Sequence, residues 1–259
     1  MTEVNYLESL NPLQYESVCS TEGPNLIIAG AGTGKTKVLT TRVAHIIDNN
    51  LAFPSQILCV TFTNKAAREM SERVQKLVSQ NMEKMPWMGT FHSIGAKIIR
   101  NHAEVIGLKQ SFTILDKDDQ LSLIKQIIKA ENLDQSQFSP KLIQSKIDHW
   151  KNKALNPNDI KSESLDNLVD EKSLSIYKIY QARLFEINCL DFGDLLLQCI
   201  NLFKVTDIHK RYSNNFKYIH VDEYQDTNAA QYKWLKLLGS HHQNVCCVGD
   251  DDQSIYSWR

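Results

Sequence analysis

Five short apolar runs, each bounded by glycine or polar residues, predict the strands of an α/β protein. Helical patterns follow the first two runs, over Lys37–Asn50 and from Thr63 onward. Because strands and helices alternate, we expect a parallel sheet with buried strands, flanked by helices, with ligand-binding residues at the carboxyl ends of the strands. The predicted strands are a run beginning at Leu26, Gln56–Phe62, a short strand ending in Gly89–Ser93, Phe216–Val221 and Asn244–Val248.

The pattern changes between about Ser111 and Asp191, where apolar residues recur at helical spacing without strand-like alternation. This spacing predicts an all-α inserted subdomain at 111–191, within a discontinuous domain formed by 1–110 and 192–259. Lysines on the predicted helices are candidates for contact with a nucleic-acid backbone. Acidic residues are interleaved with them, however, which favours a solvated helix face. These lysines are Lys141, Lys146, Lys151 and Lys153.

The segment Leu26–Thr36 has the form of a phosphate-binding loop between a strand and a helix. Its glycines allow the backbone to turn tightly and to aim N–H groups at a phosphate chain, which also meets the positive end of the helix dipole. Lys35 is expected to reach the β and γ phosphates and the Thr36 hydroxyl to bind Mg²⁺. Ala29 replaces the first glycine of the usual template, so an ordinary glycine turn is the alternative for this segment alone. The predicted nucleotide-binding loop residues are Ala29, Gly30, Ala31, Gly32, Thr33, Gly34, Lys35 and Thr36.

Acidic residues directly follow the predicted strand Phe216–Val221. Asp222 is suited to hold a magnesium ion through water, and Glu223 to orient or deprotonate the attacking water. Acidic loops after strands are common, so this pair gains weight because a phosphate loop precedes it in the chain. Gln253 follows three carboxylates at the end of the last predicted strand, where its amide could sense the γ-phosphate.

Three further residues are each open to two interpretations. Gln14, in the first turn of a predicted helix, is either an exposed residue or a partner for adenine, which carries a donor and an acceptor on one edge. The segment alone favours the first interpretation. Phe62 is either a core residue or a stacking platform for a base, with the polar residues after it gripping the flanking phosphates. His92, taken alone, is more often a structural histidine than a functional one.

The composition is that of a globular protein, with 42% apolar and 23% charged residues among 259. A formal net charge of −1 gives no argument for nucleic-acid binding, so any DNA contact must come from a local surface.

The apolar runs are far shorter than a membrane helix, and the amino terminus lacks the features of a signal peptide, so we expect a cytoplasmic protein without a membrane partner. The six cysteines form no Cys-x-x-Cys pair and are expected to be reduced, with Cys59, Cys246 and Cys247 in the core.

Six motifs occur in an order that resembles the amino-terminal part of superfamily 1 DNA helicases of the UvrD/Rep/PcrA group. The resemblance covers essentially the whole chain, and Ala29 is usual at its position in that family. It implies a RecA-like P-loop NTPase fold with a helical insert, and the front half of an ATP-dependent 3′–5′ DNA helicase acting in DNA repair or replication. The motifs are Leu10–Gln14, Ala29–Thr36, Val60–Met70, Gly89–Ser93, Val221–Asn228 and Val248–Arg259.

The same resemblance implies ATP and Mg²⁺ as cofactors, and single-stranded DNA or 3′-tailed duplex DNA as a partner. It assigns Gln14 to adenine, Lys35 to the triphosphate, and Thr36 and Asp222 to the metal. Catalytic roles fall to Lys35, Asp222, Glu223 and Gln253, the last of which couples the γ-phosphate to DNA. The residues implied to stack on bases are Phe62, Tyr256 and Trp258, and those implied to line the strand are Thr61, Thr63, Asn64, Thr90 and His92.

Helicases of this family continue into a second RecA-like domain whose arginines complete the ATP site. A carboxyl-terminal helicase half, in cis or as a separate chain, is therefore an expected partner. Within this chain, Arg42, Arg68 and Arg259 are not expected to lie where an arginine finger acts.

Two alternatives stand beside the helicase interpretation. One is a truncated, non-catalytic DNA- or partner-binding module, and the other is a P-loop ATPase unrelated to nucleic acid, which the aromatic residues at predicted strand ends disfavour.

Overall fold

The structure is a computed structural model that describes residues 6–78, 85–161 and 167–250. In these ranges the strands are β1 (Asn25–Ile28), β2 (Ile57–Thr61), β3 (Met88–Thr90), β4 (Thr113–Leu115), β5 (Cys189–Asp191), β6 (Tyr218–Val221) and β7 (Val245–Gly249). The α-helices are α1 (Pro12–Cys19), α2 (Lys35–Asp48), α3 (Asn64–Leu77), α4 (Phe91–Asn101), α5 (Lys117–Ala130), α6 (Pro140–Asn152), α7 (Leu168–Glu186), α8 (Asp194–Leu202), α9 (Thr206–Asn215) and α10 (Ala229–Leu238). None of the described helices is both long and apolar enough to cross a membrane.

Five strands form one parallel sheet in the order β1-β7-β6-β2-β3. All five predicted strands are present, which confirms the α/β class. Because the strands are parallel, their carboxyl ends lie at the same edge of the sheet. The segments that follow β1, β2, β6 and β7 therefore meet at this edge, and they include most of the predicted functional residues.

The sheet packs one face against α2 and α3. Leu39, Val43 and Val74 from these helices belong to one apolar core with Cys59 and Val248 from the strands. Strands β2 and β6 are buried along their whole length, as their continuous apolar sequences predict.

The expectation that the first strand is buried was wrong. Strand β1 is an edge strand of the described sheet, and its side chains alternate between half-buried and exposed. Leu26 and Ile28 are each 58% exposed. An apolar run of four residues cannot distinguish a central strand from an edge strand, because strand order is decided by pairing with distant segments.

The cysteines are free thiols, as expected for reduced core residues. Cys59, Cys246 and Cys247 are buried in the strands of the sheet. Burial raises the pKa of the Cys247 thiol to about 12, and the pKa of the Cys199 thiol also to about 12. These thiols are therefore protonated at neutral pH and behave as small apolar side chains.

Contacts divide the chain into two compact units. The first comprises Met1–Ile94, Thr206–Thr227 and Leu235–Arg259 and contains the five-stranded sheet. The second comprises Gly95–Val205 and Asn228–Trp234 and is mainly helical. These limits differ from the domain boundaries proposed from the sequence, which stay a prediction.

The second unit has its own apolar core, to which α5, α6 and α7 contribute Ile124, Ile147 and Tyr180. It is not entirely helical, however, because β4 and β5 pair as a two-stranded parallel sheet. Neither strand was predicted from the sequence pattern. A strand of three residues is too short for an alternating pattern to show.

Lys151 is completely buried, which contradicts both interpretations offered for it. Its Nζ lies 2.7 Å from Asp191 Oδ2 and 2.9 Å from Asp194 Oδ2, and both carboxylates are buried as well. The Tyr180 hydroxyl donates to Asp191 at 2.9 Å, and the Gln181 amide donates to Asp194 at 3.0 Å. The buried charge is thus paired and hydrogen-bonded from several sides, as burial of a charge requires.

We expect Lys151→Met to destabilise the chain by about 3–5 kcal/mol, since it leaves two buried carboxylates without their cation. Urea unfolding monitored by circular dichroism measures this loss. The control is Lys153→Met, at an exposed position of the same segment, which should change stability by no more than about 0.5 kcal/mol. Equal stability of the two variants would show that the buried pair does not form.

Candidate functional site

The loop between β1 and α2 adopts the turn that its glycines predict. Gly32 and Gly34 have φ values of +72° and +89°, in the left-handed region that glycine adopts without steric cost. The Thr33 hydroxyl donates to the Gly30 carbonyl at 2.7 Å and closes the turn. Helix α2 starts directly after Gly34, so its amino-terminal N–H groups and its dipole face the loop.

Lys35 is fixed at this loop by three contacts. Its Nζ donates to the carbonyls of Ala29 and Gly30 at 2.7 and 3.0 Å and to Asp250 Oδ2 at 3.0 Å. The Asp250 side chain is only 3% exposed. The lysine ammonium is therefore held beside the loop, where a phosphate chain would contact it.

A pocket of about 420 Å³ opens beside the loop. It brings together six of the predicted residues, from the loop, from α2 and from the segment after β6. Three cationic side chains and the start of a helix surround it, an arrangement that favours a polyanionic ligand such as a triphosphate. The lining residues are Ala31, Gly32, Gly34, Lys35, Thr36, Lys37, Arg73 and Glu223.

Arg73, which was not among the arginines considered from the sequence, also lines this pocket. It projects from α3, which follows β2 and so begins at the same edge of the sheet as α2. Arg68, on the same helix, does not line the pocket. Only the fold reveals this position, because Arg73 lies well inside its helix and outside every sequence motif.

Asp222 follows β6 directly and is 3% exposed. Burial raises the pKa of its carboxyl to about 6, and the neighbouring Glu223 carboxylate adds to this effect, while Lys35 and Arg73 oppose it. A divalent cation would favour the ionised form, and carboxylate and hydroxyl oxygens such as those of Asp222 and Thr36 are ligands that Mg²⁺ accepts. Among the described residues, no group of three or more His, Cys, Asp or Glu side chains is placed to hold a metal ion.

Glu223 has a strained backbone conformation, and Gln225, a residue not predicted for the site, holds its side chain. Its φ is +52°, a left-handed conformation that is uncommon for a residue with a side chain. Gln225 Nε2 donates to Glu223 Oε2 at 2.7 Å, and Gln225 Oε1 accepts from the Asp250 N–H at 3.0 Å. Because Asp250 also pairs with Lys35, a continuous chain of polar contacts joins the predicted water-activating residue to the phosphate loop.

Gln14 contacts the phosphate loop. Its Nε2 donates to the Thr33 carbonyl at 2.9 Å, and its Oε1 accepts from the Asn11 N–H at 3.1 Å. Asn11 Oδ1 in turn accepts from the Gln14 N–H and caps the start of α1. Gln14 is thus placed beside the loop, and its contact with adenine stays a prediction.

The residues predicted to bind DNA differ in how much surface they present. Phe62 is half-buried, and its ring packs against Phe91 with centroids 5.4 Å apart. Thr63 caps α3 through a 3.1 Å hydrogen bond from the Ala66 N–H, and Asn64 is exposed at the first position of that helix. Phe62, Thr63 and Asn64 therefore lie together at the carboxyl end of β2.

Thr61 and Thr90 present almost no surface, with 1% and 8% exposure. The Thr90 hydroxyl also accepts from the Ser93 N–H at 3.2 Å, which ties it to the first turn of α4. His92 is half-buried, and burial lowers the pKa of its imidazole, so it is neutral at pH 7. Contact between these residues and DNA stays a prediction. Gln253, Tyr256 and Trp258 lie outside the described residues.

The glycine loop, the acidic pair at the same edge and the parallel sheet together define a RecA-like P-loop domain. The family model for the UvrD/REP helicase N-terminal domain matches residues 10–259, and the chain belongs to this family. This confirms the resemblance seen in the motifs.

Similar proteins include a "DNA helicase II" of Rickettsia typhi, 49% identical over 100% of this chain and 40% of that protein. A "Probable DNA helicase II homolog" of Rickettsia conorii is 48% identical over the same shares. An "ATP-dependent DNA helicase PcrA" of Staphylococcus aureus is 49% identical over 98% of this chain and 34% of that protein. The chain thus spans 34–40% of the length of the curated relatives it matches, and corresponds to their amino-terminal part.

Proposed function

We propose that this chain is the ATP- and single-stranded-DNA-binding front half of an ATP-dependent 3′–5′ DNA helicase that acts on DNA in the cytoplasm, in repair or replication. The observation that carries the proposal is the pocket, in which Lys35 and Thr36 meet Glu223 although they are far apart in the chain. The names of the relatives, which include ATP-dependent DNA helicases, support it.

The loop N–H groups and Lys35 bind the triphosphate, and Gln14 contacts the adenine. Thr36 and Asp222 would hold Mg²⁺, which when bound supplies positive charge to the phosphate oxygens. Glu223 orients or deprotonates the attacking water, and Gln225 keeps its carboxylate in place. Gln253 senses the γ-phosphate and couples it to DNA.

Single-stranded DNA, or the tail of a 3′-tailed duplex, lies across the carboxyl edge of the sheet in this proposal. Phe62, Tyr256 and Trp258 stack on bases, while Thr63 and Asn64 contact the backbone. Smaller contributions come from Thr61, Thr90 and His92. A carboxyl-terminal helicase half, in cis or as a separate chain, completes the ATP site and allows translocation.

Trp258→Ala should weaken single-stranded DNA binding by about 1–3 kcal/mol, the range for the loss of one stacking platform. The loss should be similar for oligo-dT and for a mixed sequence, because stacking does not read base identity. Fluorescence anisotropy with a labelled oligonucleotide measures it. Trp258→Phe, which keeps an aromatic face, is the control and should lose much less.

Two outcomes of the same titrations would count against the proposal. If Trp258→Ala binds DNA as the parent chain does, Trp258 has another role, such as packing against the second domain. If the parent chain binds Mg·ATP but no single-stranded DNA, the chain is a P-loop ATPase unrelated to nucleic acid. Binding of DNA without any binding of ATP would instead favour the non-catalytic module.

A further inference from the structure

Helix α1 carries Gln14 but has little apolar attachment of its own. Val18 is its only buried residue. Polar contacts to neighbouring segments therefore decide its orientation. At the amino-terminal end, the Gln14 amide donates to the Thr33 carbonyl in the phosphate loop.

A second polar attachment lies at the other end of α1 and comes from Arg42. This arginine is in α2, seven residues after Lys35, and it is 1% exposed. Its Nη1 donates to the Ser17 carbonyl at 2.6 Å, and its Nη2 donates to the Thr21 carbonyl at 3.0 Å. Ser17 lies in the last turn of α1, where carbonyls lack helical partners and the helix dipole favours a cation.

The turn that follows α1 is held to the sheet as well. The Tyr218 hydroxyl donates to Glu22 Oε1, and Asn244 Nδ2 donates to Glu22 Oε2 at 3.1 Å. Asn244 Oδ1 accepts from the Gly23 N–H at 2.8 Å. The carboxyl-terminal end of α1 is thus anchored through Arg42 on one side and through this turn on the other.

We propose that Arg42 is a positioning residue that sets the preference of the site for adenine nucleotides by holding α1 where Gln14 reaches the base. The inference rests on the proposed function, because it assumes that Gln14 reads adenine. Helix α1 is fixed to the loop–α2 segment at Thr33 through Gln14, and at Arg42 through the Ser17 carbonyl of its last turn and the Thr21 carbonyl just after it. Without Arg42, only the turn that follows α1 holds its carboxyl-terminal end, and the helix can shift. A hydrogen bond to the base weakens steeply when its distance and angle change.

The test compares the dissociation constants of Mg·ATP and Mg·GTP for the full 259-residue chain by isothermal titration calorimetry. The parent should prefer ATP, and Gln14→Ala should lose most of that preference. Arg42→Met should lower the ratio of the GTP to the ATP dissociation constant by about three- to tenfold, as expected when one hydrogen bond is misplaced. Arg42→Lys should also lower it, by at least about twofold, since one ammonium cannot reproduce the fork of a guanidinium.

A double variant separates positioning from a general structural role. If Arg42 acts through Gln14, Gln14→Ala/Arg42→Met should have the same ratio as Gln14→Ala alone. Val43→Ala is the matched control, because Val43 is the next residue of α2 and is completely buried, but it makes no contact of this kind with α1. It should lower the melting temperature and leave the ratio unchanged.

Equal weakening of ATP and GTP by both Arg42 variants would overturn the inference and leave Arg42 as a structural residue. If Arg42→Met does not fold, Arg42→Lys is the deciding variant. An unchanged ratio of the GTP to the ATP dissociation constant in Arg42→Lys would then refute the positioning role of Arg42. Failure of the proposed function looks different. In that case the parent chain fails to bind Mg·ATP, or Gln14→Ala leaves the ratio as it was.

Discussion

Adding the carboxyl-terminal half of a UvrD/REP helicase should raise ATP hydrolysis by this chain roughly 10³–10⁵-fold, the usual contribution of an arginine finger. The half can be supplied in cis or as a separate chain. Phosphoryl transfer needs positive charge on the transferring group. The proposed function assigns that charge to arginines of a second RecA-like domain. The isolated chain should therefore hydrolyse ATP near the background rate, with or without single-stranded DNA.

The position of Arg73 gives this prediction a sharper test, because an arginine already lies at the pocket of the isolated chain. Arg73 lines the phosphate pocket together with Lys35 and Lys37, so the isolated chain already has three cations there. Closure of two domains, which excludes water and completes the site, is still absent from a single RecA-like domain. If Arg73 alone were sufficient, the isolated chain would show robust hydrolysis that does not depend on protein concentration.

The measurement is phosphate release by the 259-residue chain, alone and with the second half, with and without single-stranded DNA. Glu223→Gln in the reassembled enzyme is the control, and it should bind ATP normally while turnover is suppressed. Rapid DNA-stimulated hydrolysis by the isolated chain would refute the prediction. Self-association that supplies an arginine in trans is recognised by a specific activity that rises with protein concentration.

Lys35→Ala should reduce magnesium-dependent ATP binding by at least about 100-fold, because the lost ammonium makes charge-assisted contacts to the phosphates. The chain should still fold, since Lys35 lies at the pocket and outside the apolar core. Equilibrium binding of a fluorescent ATP analogue measures the loss, and circular dichroism checks the fold.

The ion pair between Lys35 and Asp250 calls for a second variant, because Lys35→Ala also leaves a buried carboxylate without this partner. Asp250→Asn breaks the same ion pair but keeps the lysine. It should retain most of the ATP affinity if Lys35 acts on the phosphates. Equal losses of ATP affinity in the two variants would mean that the ion pair supports the conformation of the loop. An unchanged ATP affinity in Lys35→Ala would contradict the assignment of the phosphate loop.

The parts of the site that are local in the chain were predictable from the sequence. The phosphate loop is one example, because glycines at Gly32 and Gly34 permit the left-handed backbone that the turn needs. The start of α1 is another, since Asn11 caps that helix through its own neighbours. Strands β1, β2, β6 and β7 of the five-stranded sheet lie in mainly apolar runs that the sequence shows. Strands β4 and β5 of the second unit were too short to detect.

Contacts between distant residues were decided by the tertiary structure alone. Lys151 meets Asp191, 40 residues away, and changes from an expected surface lysine into a buried cation. Lys35 meets Asp250 across 215 residues. No local pattern identifies such partners, because a lysine in an amphipathic helix has the same sequence context whether carboxylates or water cover it.

The sequence by itself predicted the chemistry proposed for this protein, namely a glycine loop for phosphates and an acidic pair for metal and water, and it indicated the parallel sheet that brings the two to one edge. The tertiary structure decided which further residues share that edge. Arg73 reaches the pocket from α3, and Gln225 links Glu223 to the end of β7. The physical reason is that the local backbone conformation depends on neighbouring residues in the chain. The burial of a side chain and its contacts with distant residues depend instead on the order of the strands in the sheet.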